Sequence, residues 1–293
     1  MNRILLSAAA TCLLLLPLAC DLGKTGNQLL ATKVMVGTLV STPDVYVSGI
    51  ALLGGDAGTL PDGGIPEGER VPIPGQTAAL VYFVNRESEG GIPEPISNAT
   101  VRIEAQGGAA VDLKSDGLGS YSKTTDFADS SGVRYQSGAN YRFIATQGGV
   151  THVGLVEAAP AQERIDALHP TSGYVRHPRN QALTLKRPDV PVGKERTLGF
   201  VTVIPVNNKG DKGAPTYSSF PSDPLSLLGL VATPFEYQKQ TLEVPGTAFP
   251  SVDSNYLVIF QTMKTGGPES DNLFLGSPML VGTADVGLVR TQP

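Results

Sequence analysis

Thr100-Val101-Arg102-Ile103-Glu104-Ala105 decides how the fold is read. Apolar and polar side chains alternate through it without a break. Successive side chains of an extended chain point to opposite faces, so Val101, Ile103 and Ala105 share one face and Thr100, Arg102 and Glu104 the other. Such a strand keeps one face dry and one wet. Similar signals recur in both directions. Upstream, residues 34–40 and 45–53 are rich in β-branched and aliphatic residues, with Ser41-Thr42-Pro43-Asp44 as a turn between them, and residues 78–84 form an apolar run of strand length. Downstream, residues 141–145 and 150–156 are strands bounded by Gly138 and Gly148-Gly149, and 182–186, 198–204, 241–244, 255–262 and 279–281 follow. Helix signals are scarce. The best is 224–230, with Ser222 and Asp223 as caps and Gly229 weakening it. The 293 residues include 34 Gly and 23 Pro, enough to turn the chain between many short strands. The pattern predicts an all-β protein of two β-sandwiches in series, with one larger sandwich as the competing arrangement. No repeat of fixed period is present, which argues against propellers and solenoids.

Ala158-Ala159-Pro160-Ala161-Gln162-Glu163-Arg164 lacks alternation and lies near the midpoint. Residues 158–169 are therefore read as a linker between a first domain, 34–157, and a second, 170–293.

The amino terminus follows a different logic. Arg3 precedes an apolar run, residues 4–18, whose only polar members are Ser7 and Thr11. About 20 apolar residues are needed to cross the ~30 Å hydrocarbon core of a bilayer, so this run is too short to span it. A positive start and a short apolar stretch ending in a small residue describe a secretory signal peptide, residues 1–19. Its end, Leu16-Pro17-Leu18-Ala19-Cys20, resembles the lipobox of bacterial lipoproteins. Ala19 fits the small residue that precedes the cysteine in that motif, whereas Pro17 and Leu18 stand where it has a leucine and a small residue. The resemblance implies that Cys20 becomes the first mature residue, its sulfur carrying a diacylglycerol. Residues 20–33 then read as a lipidated cysteine and a tether, polar and with Gly23 and Gly26. It further implies export to the bacterial cell envelope and attachment to a membrane through the lipid. The outer membrane is the favoured one, and other envelope proteins are the expected partners. Cys12 falls within the signal and Cys20 is taken by lipid, so the mature body is expected to have no disulfide, thiol nucleophile or cysteine-ligated zinc.

Within the first domain, Pro95-Ile96-Ser97-Asn98-Ala99-Thr100-Val101, then Ser115-Asp116-Gly117-Leu118-Gly119-Ser120-Tyr121-Ser122, then Gly138-Ala139-Asn140-Tyr141-Arg142-Phe143, resemble a carboxypeptidase-regulatory-like domain. That family is a transthyretin-type sandwich, and the likeness covers roughly residues 79–153. It implies a non-catalytic accessory module and carries over no functional residues. In the second domain Pro178-Arg179-Asn180-Gln181-Ala182-Leu183-Thr184-Leu185 resembles bacterial Ig-like modules, although the core Trp that often follows there is missing, since the chain has no Trp.

Charge and motif inventory narrow the function. A formal charge of -5 and the lack of a long Lys/Arg run argue against nucleic acid as a partner. His152, His169 and His177 show no metal-binding spacing, and neither a G-x-S-x-G elbow nor a phosphate-cradling glycine loop occurs. The Gly/Pro/acid loop within 54–75 carries Asp56, Asp62, Glu67 and Glu69, oxygens of the kind calcium takes but without the calcium-loop spacing. Asp112, Asp116, Asp126 and Asp129 read the same way. Tyr46, Tyr82, Tyr141 and Tyr256 lie in strand candidates and are expected in the core, while Tyr135, Tyr174, Tyr217 and Tyr237 are freer. The expectation is a protein without catalytic residues, metal or cofactor, and with Cys20 as its one site of modification. It would serve as a structural or protein-binding module. Binding of a glycan or small ligand is the alternative, and hydrolysis stands last.

Overall fold

The computed structural model describes residues 19–53, 69–86 and 93–293. All of the expected signal peptide except Ala19 lies outside the described residues. Strands predominate over helices among the described residues, which sets the class as all-β. Helix α1 (Ala19–Leu30) leads into β1 (Lys33–Thr42), β2 (Val45–Ser48), the one-turn helix α2 (Gly49–Leu52), β3 (Arg70–Ile73), β4 (Gln76–Asn85) and β5 (Glu94–Pro95). There follow β6 (Thr100–Ala105), β7 (Val111–Asp112), β8 (Lys114–Ser115), β9 (Ser120–Asp126), β10 (Tyr141–Gln147) and β11 (Val150–Val156). The remainder contributes β12 (Val175–Pro178), β13 (Leu183–Lys186), β14 (Leu198–Val206), β15 (Tyr217–Ser218), the short helix α3 (Leu228–Ala232), β16 (Thr241–Val244), β17 (Asn255–Pro268) and β18 (Met279–Gln292).

The alternation in β6 does what it demands: Val101 and Ile103 are buried, and Thr100 and Arg102 face solvent. Ten strands run in one path, β7-β6-β10-β11-β17-β18-β1-β4-β9-β8. Its two ends are one residue apart in the chain. Leu113, between β7 and β8, is buried and donates its N–H to Val101 O at 2.8 Å. The sheet thus curls back on itself into a nearly closed barrel.

Strands β17 and β18 hold the molecule together. Each has 14 residues, a length of about 45 Å at the usual rise, longer than one barrel needs. The end of β17 pairs with β11, while its first nine residues pair with β14. The start of β18 runs parallel to β1, from Met279 opposite Gly37 to Thr283 opposite Ser41, and its end runs parallel to β12. The halves expected on either side of 158–169 therefore share two strands of one sheet.

Core residues show how the layers close. One core fills the barrel with Met35, Leu39, Phe83, Ile103, Phe143 and Met279. A second lies between the β13–β16 pair and the far half of the spine, around Leu185, Val203, Val244, Phe249 and Phe260. The other face of the sheet is covered by the β2–β3 hairpin and α2 over Leu257, Ile259 and Val286, and by residues 220–237 over Val34, Phe200 and Leu280. Each such buried Val, Leu, Ile or Phe contributes about 1.5–3 kcal/mol. β1 and β18 are covered on both faces, so their burial is nearly continuous instead of alternating.

Three sequence expectations change here. Residues 45–53 form a strand only to Ser48 and then a helical turn that buries Ala51 and Leu52, because a short apolar run fits either state. The candidate helix at 224–230 is a 3-10 turn, Pro224–Leu227, followed by α3. Strands β3, β5, β7, β8, β12 and β15 form where no strand was expected, each held by a neighbouring strand.

Candidate functional site

Cys20 is the second residue of α1. Gly23 and Gly26 each cost roughly 1 kcal/mol inside a helix, so propensity alone argues against one here. Docking supplies what propensity lacks. Gln28 is buried, its side-chain amide donates to the carbonyls of Pro268 and Ser270 at 3.2 Å each, and its own carbonyl accepts the Leu275 N–H at 3.0 Å. Phe274 N–H bonds to Lys33 O at 2.7 Å. The segment read as a tether is thus helical over most of its length and pinned to the β17–β18 connection. At 1.5 Å per residue, Cys20 stands about 12 Å along the helix from Gln28.

A polar line crosses the shared sheet between the first two cores. Thr125 of β9 stands opposite Thr77 of β4, Thr77 opposite Ser41 of β1, Ser41 opposite Thr283 of β18, and Thr283 opposite Thr262 of β17. Residues directly opposite share a face, so five hydroxyls line up across five strands. All but Thr125 are buried, and the Ser41 and Thr77 hydroxyls are 3.0 Å apart. Thr262 Oγ1 has no hydrogen-bond partner among the described residues.

Two charged clusters lie next to this line. Asp285, two residues beyond Thr283 and so on the same face, is 4% exposed. Its carboxylate accepts the Ile165 N–H at 2.7 Å and the Gln162 amide at 3.2 Å, and His169 Nε2 sits 2.8 and 2.9 Å from its two oxygens. Arg187 is 1% exposed and grips both Glu163 oxygens, Nε at 2.8 Å and Nη2 at 2.6 Å. Nη2 also donates to Thr197 Oγ1 at 2.8 Å, Thr197 donates to Glu163 at 2.5 Å, and the guanidinium lies 5.3 Å from the centre of the Phe260 ring. Gln162, Glu163, Ile165 and His169 all belong to the segment read as a linker. Ile165 and Leu168 of the same segment are buried.

The geometry of these clusters is that of a clasp. Nucleophilic triads put a hydroxyl on the imidazole nitrogen that does not face the carboxylate. The described side-chain hydrogen bonds of His169 both go to Asp285, and both carboxylates are occupied by internal donors. Asp285, Arg187 and Glu163 escaped the sequence reading. The one available signal was an aspartate inside the otherwise uncharged stretch 279–289.

The other expected residues stay apart. His177 Nε2 is 2.8 Å from Gln181 O and its ring meets Phe249 edge-on. His152 Nδ1 is 3.2 Å from Asn272 O, and burial holds its imidazole below the usual histidine range. Of the possible calcium ligands, Asp56, Asp62 and Glu67 lie outside the described residues, and Glu69 is exposed. Asp116 accepts the N–H groups of Leu118 and Ser120 at 2.7 and 3.1 Å. Asp129 is bonded by the Ser131 N–H and hydroxyl, which lower its pKa. No group of three potential metal ligands occurs among the described residues. Tyr174, expected free, is buried, and Tyr46, expected in the core, is 54% exposed.

Two open clefts stand out among the described residues. One, of about 740 Å³, is lined by Asn207, Asn208, Asp211, Asp253 and Asn255. The other, of about 680 Å³, lies where α1 ends and is lined by Leu30, Lys33, Asn98, Gln147, Val150 and Asn272. Among the described residues no helix is long and apolar enough to cross a membrane. The chain matches no family model, and no curated protein matches it by sequence.

Proposed function

We propose that this chain is a lipid-anchored protein of the bacterial cell envelope, acylated at Cys20, exported from the cytoplasm and held at a membrane, with the outer membrane favoured. It works without catalysis, as a structural or protein-binding module among other envelope proteins. On this reading each half is a β-sandwich module, the first transthyretin-like and the second Ig-like, fused through β17 and β18. The observation that carries the proposal is the stretch from Leu16 to Cys20 at the end of a short apolar run. It is supported by α1, which begins beside that cysteine and is fastened to the body through Gln28. Replacing Cys20 with Ala should leave the precursor unprocessed or release the protein into soluble fractions. Intact mass of the native amino terminus should show the acyl chains. A mature protein with an unmodified amino terminus and no membrane attachment overturns the proposal.

The cleft beside Asn207 and Asp253 favours a second reading, binding of a glycan or small polar ligand, because amides and carboxylates pair with hydroxyl groups. A raised melting temperature with an oligosaccharide would support it.

A further inference from the structure

Twelve large apolar side chains are exposed among the described residues, and four of them lie around the carboxyl-terminal end of α1. Leu30 is 81% exposed, Leu29 50%, Leu275 39% and Val150 50%. Leu29 follows Gln28, whose carbonyl holds Leu275, and Leu30 and Val150 line the same cleft. Earlier in α1, a Cβ added to Gly23 or Gly26 would meet nothing within 4 Å, so the helix presents a bare backbone there as well.

We infer that the outer side of α1, with Leu29, Leu30, Leu275 and the β10–β11 turn at Val150, is a membrane-contact surface that lies flat on the bilayer holding the anchor. The inference rests on acylation of Cys20. That residue is the second of the same helix, and the helix is pinned to the body through Gln28. A lipid rooted there keeps the patch within about 20 Å of the bilayer, since 12 helical residues span roughly 18 Å. A helix lying in the interface buries its apolar side at the boundary between headgroups and acyl chains. Contiguous exposed apolar surface marks such a contact, whereas single exposed leucines do not. The body would then be oriented, with the β10–β11 turn facing the lipid.

The chain has no Trp, so an introduced one reports a single site. Leu30→Trp and Val150→Trp place probes in the patch, and Val192→Trp, at a fully exposed position, is the control. The chain from Cys20 onward has one thiol. Coupling it to a maleimide phospholipid in phosphatidylethanolamine/phosphatidylglycerol vesicles seats the protein whether or not the cell acylates it. Both patch probes should shift to the blue and be quenched by brominated acyl chains, while Val192→Trp keeps its aqueous emission. Gly26→Leu should deepen the shift of the Val150 probe, and Leu29→Ser should reduce it. Patch probes as open to aqueous iodide as Val192→Trp would overturn the inference and leave acylation intact. Absence of native acyl chains would strike the functional proposal separately.

Discussion

Arg187 has no side-chain exposure, yet it carries a full charge. Burying such a charge is tolerable only with its partner in place, because removal of one member strands the other without water. Glu163 supplies that partner through two bonds of 2.8 and 2.6 Å, with Thr197 closing the triangle. Arg187→Met should lower unfolding free energy by about 3 kcal/mol, and adding Glu163→Gln should recover a large part of that loss. Urea denaturation of the two single variants and the double variant measures the coupling, and strictly additive losses would show that the pair does not act as a unit. The sequence placed Arg187 one residue past a strand and Glu163 in a linker. Twenty-four positions apart, the two form a pair visible only once the chain has folded.

At the scale of elements, legibility followed exposure. β6, wet on one side, was readable residue by residue. β16 was found at its true ends, Thr241–Val244. β18 was read only over 279–281, because Gly282, Thr283, Asp285 and Gly287 look like a loop when strand neighbours are invisible. Each has a reason in the packing. A Cβ on Gly287 would come within 2.5 Å of Leu168 Cβ and 2.7 Å of Leu168 O, so the glycine lets the 158–169 segment lie directly on the strand. Gly287→Ala should therefore cost about 1–3 kcal/mol. Gly267→Ala on the adjoining spine strand, where nothing lies within 4 Å, should be nearly neutral. Equal melting temperatures for the two variants would contradict this account. Helix α1 shows the converse, since two glycines hid a helix that docking through Gln28 sustains.

For the whole molecule, the shared spine predicts how it unfolds. Residues 34–157 alone lack Leu273, Met279 and Val281 of the barrel core, along with the two strands that join β11 to β1. That fragment should not fold, and its amide NMR spectrum should be undispersed. The chain from Cys20 onward should melt in one calorimetric transition, with van't Hoff and calorimetric enthalpies in agreement. Two resolved transitions, or a folded fragment, would refute the fused core. By itself the sequence determined the all-β class and most strand positions, because alternation and turn residues are local properties of consecutive side chains. Tertiary structure alone decided that the two halves share β17 and β18, that the midpoint segment packs onto the sheet through Ile165 and Leu168, and that Asp285 and Arg187 find their counter-groups. Those outcomes depend on pairings between residues far apart in the chain, and such pairings leave no periodic trace along it.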